Sequence, residues 1–246
     1  MTDRRYLLLQ SRDAGDAMKA HEVACFTRAL DAGIDGVRVV DVLERVPTRT
    51  ELREARGILM GGSGDYSSLD PHPWIGRFAA HLRDDVVPSG VPTFASCFGF
   101  QVLTLALGGE MVRDPEHREV GSFDVDLTAK AAGDPLFGLL PPRFVAQQGH
   151  NDRAARAPDG VDVLASSPMC SVNAFRVRGR PVWATQFHPE LDVADVGIRY
   201  LAYLAKYAKP EAAALGKDAP FLKSLRSSPH ATEILSRFAR FCDARR

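Results

Sequence analysis

Short apolar runs alternate with amphipathic stretches through the first half of the chain. Helix-like stretches extend from Asp16 to Leu30, over residues 73–84 and over residues 98–109. The apolar runs have the length and residue types of buried strands: YLLLQ (6–10), VRVVDV (37–42), GILMGG (57–62) and PTFAS (92–96). Strands that alternate with helices are joined by crossover connections, so they lie parallel in a sheet that is covered on both faces. We therefore predict an α/β fold with a mostly parallel central sheet flanked by helices.

The second half has a different texture after Gly109. Its strand-like segments are short and separated by turn residues, which predicts antiparallel additions to the sheet. These segments are SFDVDLT, RFVAQQ, VDVLASS, NAFRV and PVWATQF. The segment RDPEHREVGS (113–122) is predicted to be a solvated loop, with Arg118 and Glu119 at the rim of a substrate site.

Two further helices are predicted near the C-terminus. One runs from about Val193 to Tyr207 and ends before Pro210. The other is SPHATEILSRFARFC (228–242), in which a serine at the cap, a proline in the first turn and apolar residues on one face indicate a helix packed on the body. We expect one domain over residues 1–210 and a C-terminal helical extension over 211–246 that packs on it.

Charge and apolar patterning exclude several classes of protein. The 31 basic and 31 acidic residues balance, whereas nucleic-acid-binding proteins carry a basic excess. No apolar run has the length of a membrane span or of a signal peptide. The four cysteines form no CxxC pair, which disfavours a disulfide framework or a zinc site. We expect a cytoplasmic protein with no nucleic-acid or membrane partner, no metal and no cofactor.

The segment PTFASCFGFQVL (92–103) places Cys97 between a predicted strand and a predicted helix. Ala95 and Gly99, two residues to either side, are small enough for the tight bend of a nucleophile elbow. The positive end of the helix dipole favours a negatively charged sulfur, and the backbone N–H of Phe98 is placed to stabilise an oxyanion. A buried structural cysteine remains the alternative on this segment alone.

Two other segments supply the remaining parts of an acyl-transfer site. In ATQFHPELD (184–192), His188 can act as a base and Glu190 can orient its ring, while Pro189 restricts the backbone between them. An incidental histidine in a surface turn is the alternative. In GILMGGSGDYSSLD (57–70) the loop lacks the ending of a phosphate-binding P-loop. Its glycines instead allow a backbone N–H, best that of Gly62, to approach a reacting carbonyl oxygen.

The three segments, in this order, resemble the class I glutamine amidotransferase family, whose glutaminase module has a flavodoxin-like fold. The resemblance extends from about Tyr6 to Tyr207 and is similar to the glutaminase domain of GMP synthetase. It implies that Cys97 is the nucleophile, His188 the base and Glu190 the orienting carboxylate. It also implies that Gly62 and Phe98 offer the oxyanion-hole N–H groups.

The resemblance also implies residues that bind substrate. Gln101, one helical turn from Cys97, would hold the substrate's α-amino group. In QQGHNDRA (147–154), His150, Asn151 and Asp152 would contact bound glutamine, although His150 is equally compatible with a turn at a strand end. Three positions depart from the family pattern: Ser63, Ala95 and Phe100.

The implied activity is hydrolysis of the γ-amide of glutamine, or of a γ-glutamyl compound, through a cysteine thioester. A small-molecule substrate and a separate synthetase subunit that receives the ammonia are the implied partners. Two alternatives stay open on the sequence. One is a free-standing γ-glutamyl peptide hydrolase, and the other is a non-catalytic binding or regulatory protein on the same fold.

Overall fold

The computed structural model describes residues 5–33, 35–207 and 220–245. Its strands are β1 (Tyr6–Gln10), β2 (Val37–Asp41), β3 (Ile58–Met60), β4 (Thr93–Ser96), β5 (Glu110–Arg113), β6 (Glu119–Leu127), β7 (Arg143–His150), β8 (Asp152–Arg156), β9 (Val161–Ser166), β10 (Ala174–Val177) and β11 (Val182–Thr185). Its helices are α1 (Met18–Ala29), α2 (Arg49–Glu54), α3 (Pro73–His81), α4 (Val87–Ser89), α5 (Phe98–Ala106), α6 (Val193–Tyr207), α7 (Pro220–Ser224) and α8 (Pro229–Asp243). A π-helical turn, Leu82–Val86, joins α3 to α4.

Nine strands form the central sheet, in the order β2-β1-β3-β4-β11-β10-β9-β6-β7. The pairs from β2 to β11 are parallel, and those from β11 to β7 are antiparallel. Large apolar side chains pack in separate clusters around the sheet. The predicted α/β fold, with a mostly parallel first half and antiparallel additions, is therefore confirmed.

The order of the parallel strands brings three distant segments to one edge. Strand β4 lies between β3 and β11, and all three run in the same direction. In register, Met60 pairs with Ala95, and Ala95 pairs with Ala184. Since the carboxyl ends of parallel strands meet at one edge of the sheet, the segments that follow β3, β4 and β11 converge there.

The predicted loop over residues 113–122 is wrong at both ends. Arg113 ends β5, Pro115–His117 forms a 3₁₀ turn, and β6 begins at Glu119. The side chain of Glu119 is fully buried rather than at a rim, whereas Arg118 lines a cavity. Strands β5 and β8 pair with each other in a small separate sheet, which the sequence analysis did not predict.

The C-terminal helix α8 packs on the main body. Its apolar face buries Ile234, Leu235 and Phe238, and the ring of Phe238 lies 5.6 Å from that of Phe94 in β4. The expected domain division at 210/211 lies outside the described residues and stays a prediction, as does the expected helix end before Pro210. Among the residues that the structure describes, no helix is long and apolar enough to cross a membrane.

Candidate active site

Cys97 occupies a strained bend directly between β4 and α5. Its backbone has φ +51° and ψ −106°, a region that non-glycine residues seldom adopt. The bend depends on a close backbone approach, because a Cβ on Gly99 would lie only 2.5 Å from the Cβ of Met60. Strain of this kind persists only where surrounding contacts impose it, and it is concentrated at functional sites.

His188 and Glu190 lie together in the turn after β11. The Nδ1 atom of His188 is 2.6 Å from Oε1 of Glu190, and both residues are buried. The other side of the His188 ring hydrogen-bonds to the Cys97 side chain. Sγ of Cys97 lies 3.8 Å from the carbonyl oxygen of Gly149 in β7. The structure thus aligns a thiol, an imidazole and a carboxylate in one row.

The electrostatics of this row favour a charged imidazole. Burial lowers the pKa of His188, but the charges of Cys97 and Glu190 and their hydrogen bonds outweigh it and raise the pKa to about 9. Burial raises the pKa of Glu190, but the charge and hydrogen bond of His188 and the charge of Arg199 bring it down to about 2. A thiolate–imidazolium pair oriented by a carboxylate can attack a carbonyl carbon and then protonate a leaving nitrogen.

Gly62 and Phe98 lie on either side of this row. A Cβ on Gly62 would be 2.9 Å from Cε1 of His188 and 3.8 Å from Cβ of Cys97. Phe98 is the first residue of α5, so its N–H belongs to the helix N-terminus. Its ring is buried beside Trp74, at a centroid distance of 5.7 Å. Backbone N–H groups at these two positions are close enough to the sulfur to receive an oxyanion formed there.

A cavity of about 440 Å³ opens onto Cys97 and His188. One of its walls is a face of α6 on which Val196, Arg199, Tyr200 and Tyr203 lie at helical spacing. Phe221 of α7 also lines it and stacks on Tyr200 with ring centroids 4.2 Å apart. The sequence analysis predicted the helix but not this wall, for which the i, i+3, i+4, i+7 spacing was an available signal.

The predicted substrate-binding residues are divided by the structure. His150 and Asn151 line the cavity. Gln101 is not among the lining residues, and its Nε2 lies 3.3 Å from the Asp152 carbonyl oxygen and 3.4 Å from Oε1 of Gln186. Asp152 is also absent from the lining, and its carboxylate accepts a hydrogen bond from Ser67. Gln101 and Asp152 therefore support the site from behind in this structure.

A buried polar network backs the β6–β7 wall of the cavity. Glu119 lies 3.0 Å from Nε2 of His150 and accepts a hydrogen bond of 2.8 Å from Ser167. Nδ1 of His150 lies 3.0 Å from the carbonyl oxygen of Asp152. Since both partners of the ring are acceptors, both contacts are hydrogen bonds only when the ring carries two protons. His150 is thus a fixed part of the wall rather than a turn residue.

A second network lies beneath the α6 wall. Arg12 is buried, and it donates to Asp16 at 2.9 Å, to Tyr203 at 2.8 Å and to Glu22 at 3.1 Å. Burial lowers the pKa of Arg12, but these partners raise it well above its ordinary value. The sequence carries no local signal for this network, because its members come from the β1–α1 region and from α6.

One cluster has the residue types of a metal site. His21, Cys25 and Asp195 have donor atoms within 4.8 Å of one another. Asp195, however, is already paired with Arg28 and lies 3.2 Å from Nε2 of His21. Burial, the largest effect, raises the pKa of Cys25 to about 12, which keeps its sulfur in the thiol form. Because metals bind the thiolate, this cluster is better explained as an ion-pair network.

Fold and site together define a class of protein. The family description "Glutamine amidotransferase class-I" matches residues 22–205. The chain belongs to the class I glutamine amidotransferase family, whose members are generally cysteine-dependent enzymes.

Curated relatives differ in how much of their length this chain covers. A glutamine-hydrolyzing GMP synthase of Leifsonia xyli is 39% identical over 121 residues, which are 48% of this chain and 24% of that protein. The glutamine-hydrolyzing GMP synthase of Methanocaldococcus jannaschii has a separately encoded subunit that is 29% identical over 168 residues, which are 65% of this chain and 81% of that protein. The chain thus matches about a quarter of the first relative and most of the second.

Solved structures share the fold. A glutamine amido transferase of Methylobacillus flagellatus has a TM-score of 0.70 at 20% identity, covering 96% of this chain and 94% of that one. A glutamine amidotransferase of Thermotoga maritima has a TM-score of 0.69 at 17% identity, covering 96% of this chain and 99% of the other.

Proposed function

We propose that this chain hydrolyses the γ-amide of glutamine through a thioester on Cys97. The thiolate adds to the γ-carbonyl carbon, and the resulting oxyanion accepts hydrogen bonds from the N–H groups of Gly62 and Phe98. The C–N bond then breaks, the nitrogen takes a proton from the His188 imidazolium, and ammonia leaves. His188 next removes a proton from water, whose oxygen adds to the thioester carbon and releases glutamate and the thiol.

The observation that carries this proposal is the strained backbone of Cys97 beside the 2.6 Å contact between His188 and Glu190. A structural cysteine has no need of a φ of +51° at a helix N-terminus. A binding protein likewise gains nothing from a buried carboxylate that orients an imidazole toward a thiol. Both considerations favour catalysis over the non-catalytic alternative.

The test is release of glutamate and ammonia from L-glutamine by the purified chain, with Cys97→Ala as the matched variant. We expect turnover by the native chain and none by Cys97→Ala, with the same circular dichroism spectrum and melting temperature for both. Activity that survives in Cys97→Ala would remove the thioester from the mechanism. Burst kinetics with a γ-glutamyl ester would separate formation of the thioester from its hydrolysis.

A specific feature favours a second candidate, a free-standing γ-glutamyl hydrolase. The cavity is walled by the stacked rings of Tyr200 and Phe221, and its size falls in the range of sites for molecules larger than a single amino acid. An apolar amine attached to the γ-carbonyl would fit this wall. A higher kcat/KM for γ-glutamyl anilides than for glutamine supports this candidate, whereas a strict preference for glutamine supports ammonia delivery.

A separate synthetase subunit is the partner proposed for the ammonia-delivery candidate. Its support is the similarity to a Methanocaldococcus jannaschii protein that is named as one subunit of a GMP synthase. Turnover of glutamine by the chain alone that rises when a synthetase is added would support it. Full activity without any added protein would favour the free hydrolase.

A further inference from the structure

The α6 wall of the cavity carries a buried arginine with unused hydrogen-bonding capacity. Arg199 is 9% exposed and lines the cavity. Its Nη1 lies 3.7 Å from Oε1 of Glu190, which is beyond hydrogen-bonding distance. Its Nε and Nη2 atoms have no acceptor within the described part of the chain. Buried arginines normally pair all their charge, so these two donors need an explanation.

Glu190 does not supply that explanation. Its Oε1 atom already lies 2.6 Å from Nδ1 of His188. The nearby Arg12 provides a contrast, because its hydrogen bonds to two carboxylates, those of Asp16 and Glu22, balance its charge. Arg199 therefore presents a positive charge and a fork of donors at the cavity wall, a geometry that matches a carboxylate.

The β7 wall presents a complementary unpaired group. Gln148 is 3% exposed and lines the same cavity. Its Nε2 donates to Oδ1 of Asn173 at 3.1 Å, and its Oε1 atom is buried with no donor among the described residues. The orientation of this amide is fixed, because the amide nitrogen of Asn173 faces the acceptor-only carboxylate of Glu119. The carbonyl oxygen of Gln148 is therefore the atom left to accept a hydrogen bond.

We propose that Arg199 binds the α-carboxylate of the substrate and that Oε1 of Gln148 accepts a hydrogen bond from its α-ammonium group. The inference rests on the proposed function and names the part of the substrate that the cavity recognises. A γ-glutamyl group has its carboxylate and ammonium at one end and the reacting amide at the other. Each would complete a polar group that is otherwise buried without a partner, which is where hydrogen bonds contribute most to discrimination.

This assignment replaces the sequence-based one for the α-amino group. The amide of Gln101 lies near the Asp152 carbonyl and the Gln186 side chain, outside the lining of the cavity. Gln148, by contrast, lines the cavity together with Cys97 and His188.

Binding to the Cys97→Ala chain tests the proposal without requiring turnover. The ligands are L-glutamine, 4-aminobutanamide, which is glutamine without its carboxylate, and glutaramate, which is glutamine without its amino group. Isothermal titration calorimetry gives the three dissociation constants for the Cys97→Ala background and for the same background with Arg199→Gln, Arg199→Lys or Gln148→Met. Arg143→Gln is the control, since Arg143 is exposed and paired with Asp126 on the β6–β7 hairpin.

The expected result is selective loss of affinity. Arg199→Gln should weaken glutamine and glutaramate by about 10- to 100-fold and leave 4-aminobutanamide unchanged, while Arg199→Lys retains part of the affinity. Gln148→Met should weaken glutamine and 4-aminobutanamide but not glutaramate. Arg143→Gln should change none of the three constants, and melting temperatures should verify that each variant is folded.

Two results would overturn the inference. An equal loss for all three ligands in Arg199→Gln would mean that the arginine acts only as a counterion to Glu190. Turnover of glutamine by the native chain, with no ligand selectivity in either variant, would refute this recognition while leaving the thioester mechanism standing. Absence of both turnover and binding of glutamine would refute the proposed function together with the inference.

Discussion

Replacing Gly62 with alanine tests the geometry of the site at its tightest point. A Cβ at this position would lie 2.9 Å from Cε1 of His188. The methyl group belongs to the loop after β3, so the imidazole ring is the part that must move. The hydrogen bonds of that ring to Cys97 and Glu190 both depend on where it lies.

The size of the effect follows from this distance. Moving Cε1 from 2.9 Å to the 3.4 Å at which ordinary contacts begin requires a shift of about 0.5 Å. A misplacement of about 1 Å at a reacting group can cost roughly 100-fold in rate. We therefore expect Gly62→Ala to lower kcat for glutamine by about 10- to 100-fold, which corresponds to a rise in the activation free energy of about 1.4–2.7 kcal/mol.

The assay is steady-state release of glutamate, with Gly76→Ala as the matched control. Gly76 lies in α3, and a Cβ there would meet nothing within 4 Å. It should retain native kcat and gain up to about 1 kcal/mol of stability, because alanine is the better helix former. Native kcat in Gly62→Ala would refute the placement of its backbone against His188. An equal loss of activity in Gly76→Ala would show that the assay reports folding rather than site geometry.

Three further predictions concern the row of polar groups and the C-terminal helix. Cys97→Gly should be inactive yet more stable than Cys97→Ala by about 1 kcal/mol in urea unfolding, since glycine relieves the strain of φ +51°; lower stability would mean the bend is unstrained. The pKa of His188, about 9 against the ordinary 6.5, means that its charged form stabilises the fold fully below pH 6.5 and that this contribution is lost as pH rises through about 9. Turnover should fall over the same upper range, and Glu190→Gln should reduce kcat less than His188→Ala does; a reversed order would exchange the two roles. Phe238→Ala should cost about 3–5 kcal/mol in a single unfolding transition, because the ring is fully buried against the sheet; two separate transitions would show that the C-terminal helix is an independent unit.

Local sequence signals account well for the parallel half of the fold. Strand β1 has the predicted bounds, and α5 begins at the predicted Phe98. Helix α2 was missed although it carries a capping box, in which Thr48 and Glu51 hydrogen-bond to each other's backbone N–H groups. Strands β5 and β8 were missed for a different reason. Each is short and pairs only with the other across about forty residues, so neither has a local pattern of its own.

The sequence by itself determined the features that depend on neighbouring residues. Small residues flank Cys97 and permit a tight bend, and Pro189 separates His188 and Glu190 in one turn. These arrangements need only short-range sterics, so the spacing of residue types predicts them.

Only the tertiary structure decided which side chains face the cavity. The register of β3, β4 and β11 brings Gly62, Cys97 and His188 together, and that register is held by hydrogen bonds between strands far apart in the chain. The same packing directs Gln101 away from the cavity and places Gln148 and Arg199 in its walls. A side chain's partners across the fold are set by the packing of whole elements, because burial forces each polar atom to take whichever partner that packing brings within reach.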